Sequence, residues 1–132
     1  MISRTARYAF QILGYLAARP AQQLRGEEIA AATGIPANYL AKILNQLRKA
    51  GLVESQKGWG GGFRLREGAE TRPIRDVLVV FDGLGSAERT DCALGRPACD
   101  AGHPCAMHAE WAGVRDGFTR MITTTRVADL AQ

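Results

Sequence analysis

Three cysteines and a histidine lie close together in the second half of this 132-residue sequence, and they are the residues best suited to chemistry. Cys92, Cys99 and Cys105 are its only cysteines, and His108 follows three positions after the last of them. Thiolates are soft metal ligands and imidazole is a borderline one, so such a set can hold an iron–sulfur cluster or a tetrahedral zinc ion. The sequence therefore predicts a metal centre at these four residues.

Other interpretations of the same segment stay open. The cysteines are separated by six and five residues, which is wider than the paired knuckles of most zinc fingers and favours iron–sulfur over zinc. His103 is a rival ligand, although His108 is better placed if the centre abuts the final helix. Ordinary thiols are a further possibility. An enzyme with Cys105 as nucleophile is disfavoured, because no acid or orienting partner stands at a recognisable spacing.

The elements around these ligands predict how they are positioned. Residues 83–107 are rich in Gly and Pro and have no sustained period, which indicates a long functional loop. A loop suits a metal centre, since ligands must converge on one point. A final helix is predicted over 106–122 from an apolar stripe: Trp111, Val114, Phe118, Met121 and Ile122.

The first part of the chain predicts a winged helix-turn-helix. Apolar periodicity and breakers give helices over 3–18, 26–33, 37–50 and 74–81, with strands over 52–56 and 62–66. The third helix carries the clearest stripe: Leu40, Ile43, Leu44 and Leu47. A short turn, Gly34-Ile35-Pro36, precedes it, and a glycine-rich hairpin follows it. We expect a mainly α fold with a small β-hairpin wing, followed by a long C-terminal helix.

Docking of that stripe onto the core leaves a polar face for DNA. Asn38 and Lys42, near the start of the third helix, are predicted to contact base edges in the major groove. The predicted phosphate contacts are Tyr39, Arg48 and Lys49. At the tip of the hairpin, Lys57, Gly58 and Trp59 combine a cation, a flexible backbone and an exposed aromatic ring, which suits minor-groove or phosphate contact.

The charge distribution agrees with this interpretation. Residues 1–75 hold twelve of the 17 Lys and Arg residues but only five of the 13 Asp and Glu residues. A basic head on a mildly acidic tail is typical of nucleic-acid binding joined to a regulatory element. No apolar stretch reaches the roughly 20 residues of a membrane span, and the N-terminus does not resemble a signal peptide. We therefore expect a cytoplasmic protein with no membrane partner.

Several motifs resemble one family, the winged-helix regulators that include the iron–sulfur cluster regulator and the nitric-oxide-sensitive repressor (IscR/NsrR-like). The resemblance covers nearly the whole chain. Its motifs are Arg7-Tyr8-Ala9, Tyr39-Leu40, the run from Leu47 to Val53, the run from Gly58 to Phe63, and the segment from Cys105 to Trp111.

The resemblance implies a homodimer formed through the C-terminal helix, with cluster ligands at Cys92, Cys99 and Cys105. His108 matches the fourth ligand of a [2Fe–2S] cluster, and [4Fe–4S] and zinc are the alternatives. Nitric-oxide-sensitive relatives instead use a carboxylate where this chain has Tyr8, which is a poor substitute.

We accordingly predict three regions: a DNA-binding domain over 1–82, a cluster-binding loop over 83–107, and a dimerisation helix with tail over 108–132. The predicted function is that of a transcriptional repressor and redox sensor that binds a pseudo-palindromic operator. An iron–sulfur cluster that responds to iron, redox or nitric-oxide status is predicted to control its affinity for that operator. The alternative is a constitutive DNA-binding or protein-interaction module with a structural zinc site.

Overall fold

The computed structural model describes residues 2–88 and 90–131. Arg89 lies outside these ranges, and so do residues 1 and 132, which begin the first predicted region and end the last one. Within those ranges the elements follow the predicted order. They are α1 (Arg4–Ala17), α2 (Gly26–Thr33), α3 (Ala37–Lys49), β1 (Val53–Gln56), β2 (Gly62–Leu65), α4 (Ile74–Asp82), α5 (Leu84–Ala87) and α6 (His108–Thr124). Single 3₁₀ turns at Ala69–Thr71 and Val127–Leu130 precede α4 and follow α6.

Two element predictions need correction. The segment predicted as loop from residue 83 begins with the short helix α5. A helix of four residues is too short to show a periodic pattern in the sequence. The last helix starts at His108 rather than at residue 106, and it ends two residues later than predicted. The reason for the later start is a turn before the helix, in which the His108 amide donates to the Cys105 carbonyl at 3.1 Å.

The main core fills the space between α1, α2, α3 and the hairpin. The predicted stripe of α3 is buried as a unit, with Leu40, Ile43, Leu44 and Leu47 each at most 3% exposed. It packs against the buried face of α1, which includes Ile12 and Leu13. Burying a leucine or isoleucine side chain stabilises a fold by roughly 1.5–3 kcal/mol. The stripe therefore fixes which face of α3 points outward.

The turn between α2 and α3 depends on one backbone angle. Gly34 adopts φ 74°, in the left-handed region that favours glycine, and its amide donates to the Ala30 carbonyl at 2.8 Å. Ile35 is then buried at 3% exposure. This turn sets the angle between the two helices.

A smaller second core joins α4 to α6. Phe118 and Ile122 of α6 pack with Ile74 and Leu78. The rest of the predicted α6 stripe is different, because Val114 and Met121 are 47% and 41% exposed. None of the helices in the described part of the chain combines the length and apolar character needed to cross a bilayer.

The chain beyond α6 returns to the head, by which we mean residues 2–82. Val127 is fully buried in the main core. A methyl group placed on Gly14 of α1 would collide with the Leu130 carbonyl. Glycine at position 14 therefore allows the tail to lie directly on α1.

Candidate functional site

The start of α3 presents its side chains to solvent, as the sequence predicts. Asn38 and Lys42 are exposed, and Tyr39 is 52% exposed. The Tyr39 ring lies 6.4 Å from the ring of Tyr8 on α1, tilted by 54°. Tyr8 therefore supports Tyr39 from behind, which orients the start of the recognition helix on α1.

The last turn of α3 adds positive charge on the same outer surface. Arg48 and Lys49 are both exposed. A guanidinium nitrogen of Arg48 donates to Asn45 Oδ1 at 2.8 Å, which holds that cation against the helix. Cations at the end of a helix also interact favourably with its dipole.

The wing is a two-stranded antiparallel hairpin in which Glu54 pairs with Arg64. A third short segment joins it, because Leu24 and Phe63 exchange backbone hydrogen bonds of 2.9 and 2.7 Å. At the tip, Lys57 and Gly58 are exposed and Trp59 is 100% exposed. A fully exposed tryptophan has no folding role, and large exposed apolar groups mark contact surfaces.

Arg72 anchors the recognition helix to the rest of the head, and the sequence analysis did not identify it. Its guanidinium donates to the Ala50 carbonyl at 3.1 Å and to Asp76 at 3.0 Å. Its own carbonyl accepts from the Val127 amide at 2.9 Å. One residue thus links the end of α3, the start of α4 and the segment after α6.

The four predicted ligands form two close pairs beside the start of α6. Cys92 Sγ lies 4.0 Å from Cys105 Sγ, and Cys99 Sγ lies 3.2 Å from His108 Nδ1. Cys92 is buried, and Cys99 and Cys105 are half-buried free thiols. Over residues 2–88 and 90–131, no three Cys, His, Asp or Glu side chains converge on one point as a mononuclear site requires.

This donor set fits a binuclear cluster chemically. Two thiolates on one tetrahedral ion with metal–sulfur bonds of about 2.3 Å lie about 3.8 Å apart, close to the Cys92–Cys105 separation. Each iron of a [2Fe–2S] cluster takes two protein ligands, and histidine replaces cysteine in some of them. Two pairs, Cys92 with Cys105 and Cys99 with His108, supply that number.

The surroundings of Cys92 favour the form that binds metal. The backbone amide of Leu94 lowers the pKa of the Cys92 thiol, and the Arg96 amide and the Cys105 side chain add to this against the opposing effect of burial. Metals bind the thiolate rather than the thiol. The loop backbone therefore favours the thiolate form of Cys92.

His103, the rival ligand, has a side chain that is 87% exposed to solvent. Its Nδ1 lies 2.9 Å from a carboxylate oxygen of Asp100. This hydrogen bond and the Gly102 amide lower the pKa of the Asp100 carboxyl. His108 faces Cys99 instead, which supports His108 as the fourth ligand.

Two further residues of α6 contact the Cys loop, by which we mean residues 90–107. Trp111 Nε1 donates to the Asp91 carbonyl at 2.8 Å, and a guanidinium nitrogen of Arg115 donates to Cys99 Sγ at 3.3 Å. The sequence analysis assigned Trp111 only to an apolar stripe and missed Arg115. Their spacing of three and seven residues from His108 is the signal that places all three on one helix face.

An exposed recognition helix, a wing with a bare tryptophan and an adjoining Cys/His segment define a winged helix-turn-helix transcription regulator. The chain belongs to the Rrf2 family, described as iron-dependent transcriptional regulators, whose match covers residues 2–132. The family resemblance noted from the motifs is thereby confirmed.

Individual relatives agree with this assignment. An HTH-type transcriptional regulator of Aquifex aeolicus is 34% identical over 98% of this chain and 90% of that protein. The regulator IscR of Photorhabdus laumondii is 33% identical over 78% of this chain, and the match spans only 61% of IscR. Among solved structures, CymR, the global cysteine regulator of B. subtilis, superposes with a TM-score of 0.80 at 25% identity, covering 99% of this chain and 95% of CymR. All three are regulators rather than enzymes.

Proposed function

We propose that this regulator is a homodimer whose operator affinity depends on an iron–sulfur cluster, most simply [2Fe–2S], held by Cys92, Cys99, Cys105 and His108. The observation that carries the proposal is the arrangement of these donors in two pairs, at 4.0 and 3.2 Å, where the Cys loop enters α6. Membership of an iron-dependent family and the similarity to IscR support it.

The unused part of the α6 stripe supports dimerisation. Val114 and Met121 are 47% and 41% exposed, whereas Phe118 and Ile122 of the same stripe are buried. Burying these side chains against a second copy of α6 would remove their apolar surface from water and so stabilise the dimer. A two-fold pair of heads would then suit a pseudo-palindromic operator with half-sites about one helical turn apart.

The residues of this chain divide the work of sensing and binding. A bound cluster would supply a centre that changes charge by one electron and is lost when iron is scarce. His108 begins α6, so its ligation ties the Cys loop to the dimer-forming helix. Lys42 and Asn38 would contact bases and Trp59 the minor groove, so a change in the spacing of two heads would weaken both half-sites together.

The cluster is tested by anaerobic purification with iron, sulfide and visible absorbance measured on one sample. We expect a coloured protein with equimolar iron and sulfide, and colour loss together with altered DNA affinity on treatment with oxidant or nitric oxide. Replacing Cys92, Cys99 and Cys105 by serine should abolish the colour and make DNA binding indifferent to iron. A colourless protein with normal DNA binding contradicts the sensor proposal.

The DNA-binding surface is tested on a duplex selected from a random pool by the purified protein. Lys42→Gln should weaken binding by about 1–3 kcal/mol if Lys42 reads a base, and Trp59→Ala should weaken it without lowering the free energy of unfolding. Glu28→Gln, an exposed change on α2 outside the predicted face, serves as the control. Equal affinities for all three variants would contradict this assignment.

A regulator with a structural zinc ion is the second candidate. The Cys92–Cys105 separation of 4.0 Å also suits two thiolates on a single zinc ion. One zinc per chain, no iron and DNA affinity independent of oxidants would favour it.

A further inference from the structure

One face of α6 contacts the Cys loop at three successive points. His108 lies against Cys99, Trp111 donates to the Asp91 carbonyl, and Arg115 donates to Cys99 Sγ. At about 100° per residue, these three positions fall within roughly 60° of one another around the helix. Cys99 is therefore contacted twice from α6, by His108 and by Arg115 two turns further on.

The chemistry of the Arg115 contact is specific. Guanidinium stays protonated at all physiological pH values and can only donate hydrogen bonds. Its distance of 3.3 Å from Cys99 Sγ puts a permanent positive charge beside one predicted ligand sulfur. A hydrogen bond from a cation is stronger than one from a neutral donor, so this contact fixes the position of the Cys99 side chain.

We propose that Arg115 is a positioning residue of the metal centre, which orients the Cys99 side chain and raises the reduction potential of a cluster bound there. The inference rests on the proposed cluster site and deepens it. Net charge and hydrogen bonds to ligand sulfurs set the potentials of such clusters, and a positive neighbour stabilises the more negative, reduced form.

The same contact connects the charge on Cys99 to the dimer-forming helix. Arg115 is half-buried on α6, between the His108 end and the buried Phe118. One-electron reduction of a cluster bound there would make the centre more negative and strengthen its attraction to Arg115, whereas loss of the cluster would remove that difference. Arg115 thereby gives α6 a second attachment to the centre besides His108.

The test compares three full-length variants, Arg115→Gln, Arg115→Lys and Arg120→Gln. Arg120 is an exposed arginine roughly 140° further around the same helix, so Arg120→Gln removes the same charge without touching Cys99. Each protein is purified anaerobically, and its iron, sulfide, midpoint potential and rate of colour loss to EDTA are measured. Operator affinity is measured in the oxidised and reduced states.

We expect Arg115→Gln to retain a cluster with a lower midpoint potential. We also expect it to lose the cluster about tenfold faster, because changing a residue that holds a metal ligand typically lowers metal affinity by at least about tenfold. Arg115→Lys should recover part of the potential because the charge remains, and Arg120→Gln should match the unmodified protein. A purely structural arginine would change the rate of loss but not the potential.

The outcomes separate the two proposals. A coloured unmodified protein whose potential is the same in Arg115→Gln overturns the role of Arg115 and leaves the cluster proposal standing. A colourless unmodified protein overturns both. If Arg115→Gln does not fold, Arg115→Met, which keeps the apolar stem and removes the charge, is measured in its place, and a potential equal to that of the unmodified protein overturns the role of Arg115.

Discussion

The head and the Cys loop are held together by different kinds of interaction. In the head, α1 and α3 meet through fully buried side chains such as Leu13 and Leu47. In the Cys loop, Leu94 is 59% exposed, and order comes from short backbone contacts such as the Cys99 amide to the Thr90 carbonyl at 3.2 Å. The head is thus specified by burial, whereas the loop has little apolar burial to stabilise it and would gain most from the proposed metal centre.

The largest contrast is expected between the two histidines. His108→Ala should abolish the visible absorbance of the cluster or change its spectrum, because it removes the partner of Cys99. His103→Ala should leave the absorbance unchanged. Anaerobic spectra with iron and sulfide analysis check this. A dependence on His103 rather than His108 would reverse the ligand assignment.

The next contrast concerns folding free energy. Leu47→Ala should lower the free energy of unfolding by about 2–5 kcal/mol, since it leaves a cavity in the main core. Leu94→Ala should change it by less than about 0.5 kcal/mol, because that side chain is largely exposed. Urea unfolding of the iron-free protein measures both. Similar costs for the two substitutions would show that the loop shares the core of the head.

Iron removal should loosen one region and not the other. We expect amides of residues 90–107 to exchange hydrogen about tenfold faster, equivalent to ~1.4 kcal/mol of local opening, in the iron-free protein. Amides of α1 and α3 should be unaffected. Hydrogen exchange with mass spectrometry checks this, with the three-cysteine serine variant as the control in which iron changes nothing. Faster exchange throughout the head would mean that the two regions fold as one unit.

The smallest effects are expected at two glycines, with opposite signs. Gly14→Ala should destabilise by about 1 kcal/mol or more, because its methyl group meets the Leu130 carbonyl. Gly113→Ala on α6 has open space around it and should stabilise by about 0.5–1 kcal/mol through helix propensity. Thermal unfolding of the two variants measures the difference. Two effects of the same sign would contradict the close approach of the tail to α1.

The sequence predicted the head more completely than the loop for a physical reason. A buried helix face repeats at a fixed spacing, so the stripe from Leu40 to Leu47 located α3 and its outward side. The short helix α5 does not complete two turns and leaves no such pattern.

The roles of Arg72 and Arg115 were also missed, since they act through tertiary hydrogen bonds, to Ala50 and Cys99, whose partners the sequence does not reveal. Spacing alone identified the cysteines as a group but not which of them are neighbours. The pairing of Cys92 with Cys105 depends on how the loop folds back on itself.

Arg72 has a consequence for how a signal can travel. Its side chain fixes the end of α3 and its carbonyl receives the amide of Val127, so the DNA-reading helix and the end of the chain are fastened to the same point. Independent movement of α3 would break the bond to Ala50, and independent movement of the tail would break the bond from Val127. Each head should therefore move as a rigid body, and in the proposed dimer the quantity left for the proposed sensor to adjust is the distance and angle between the two heads on the duplex.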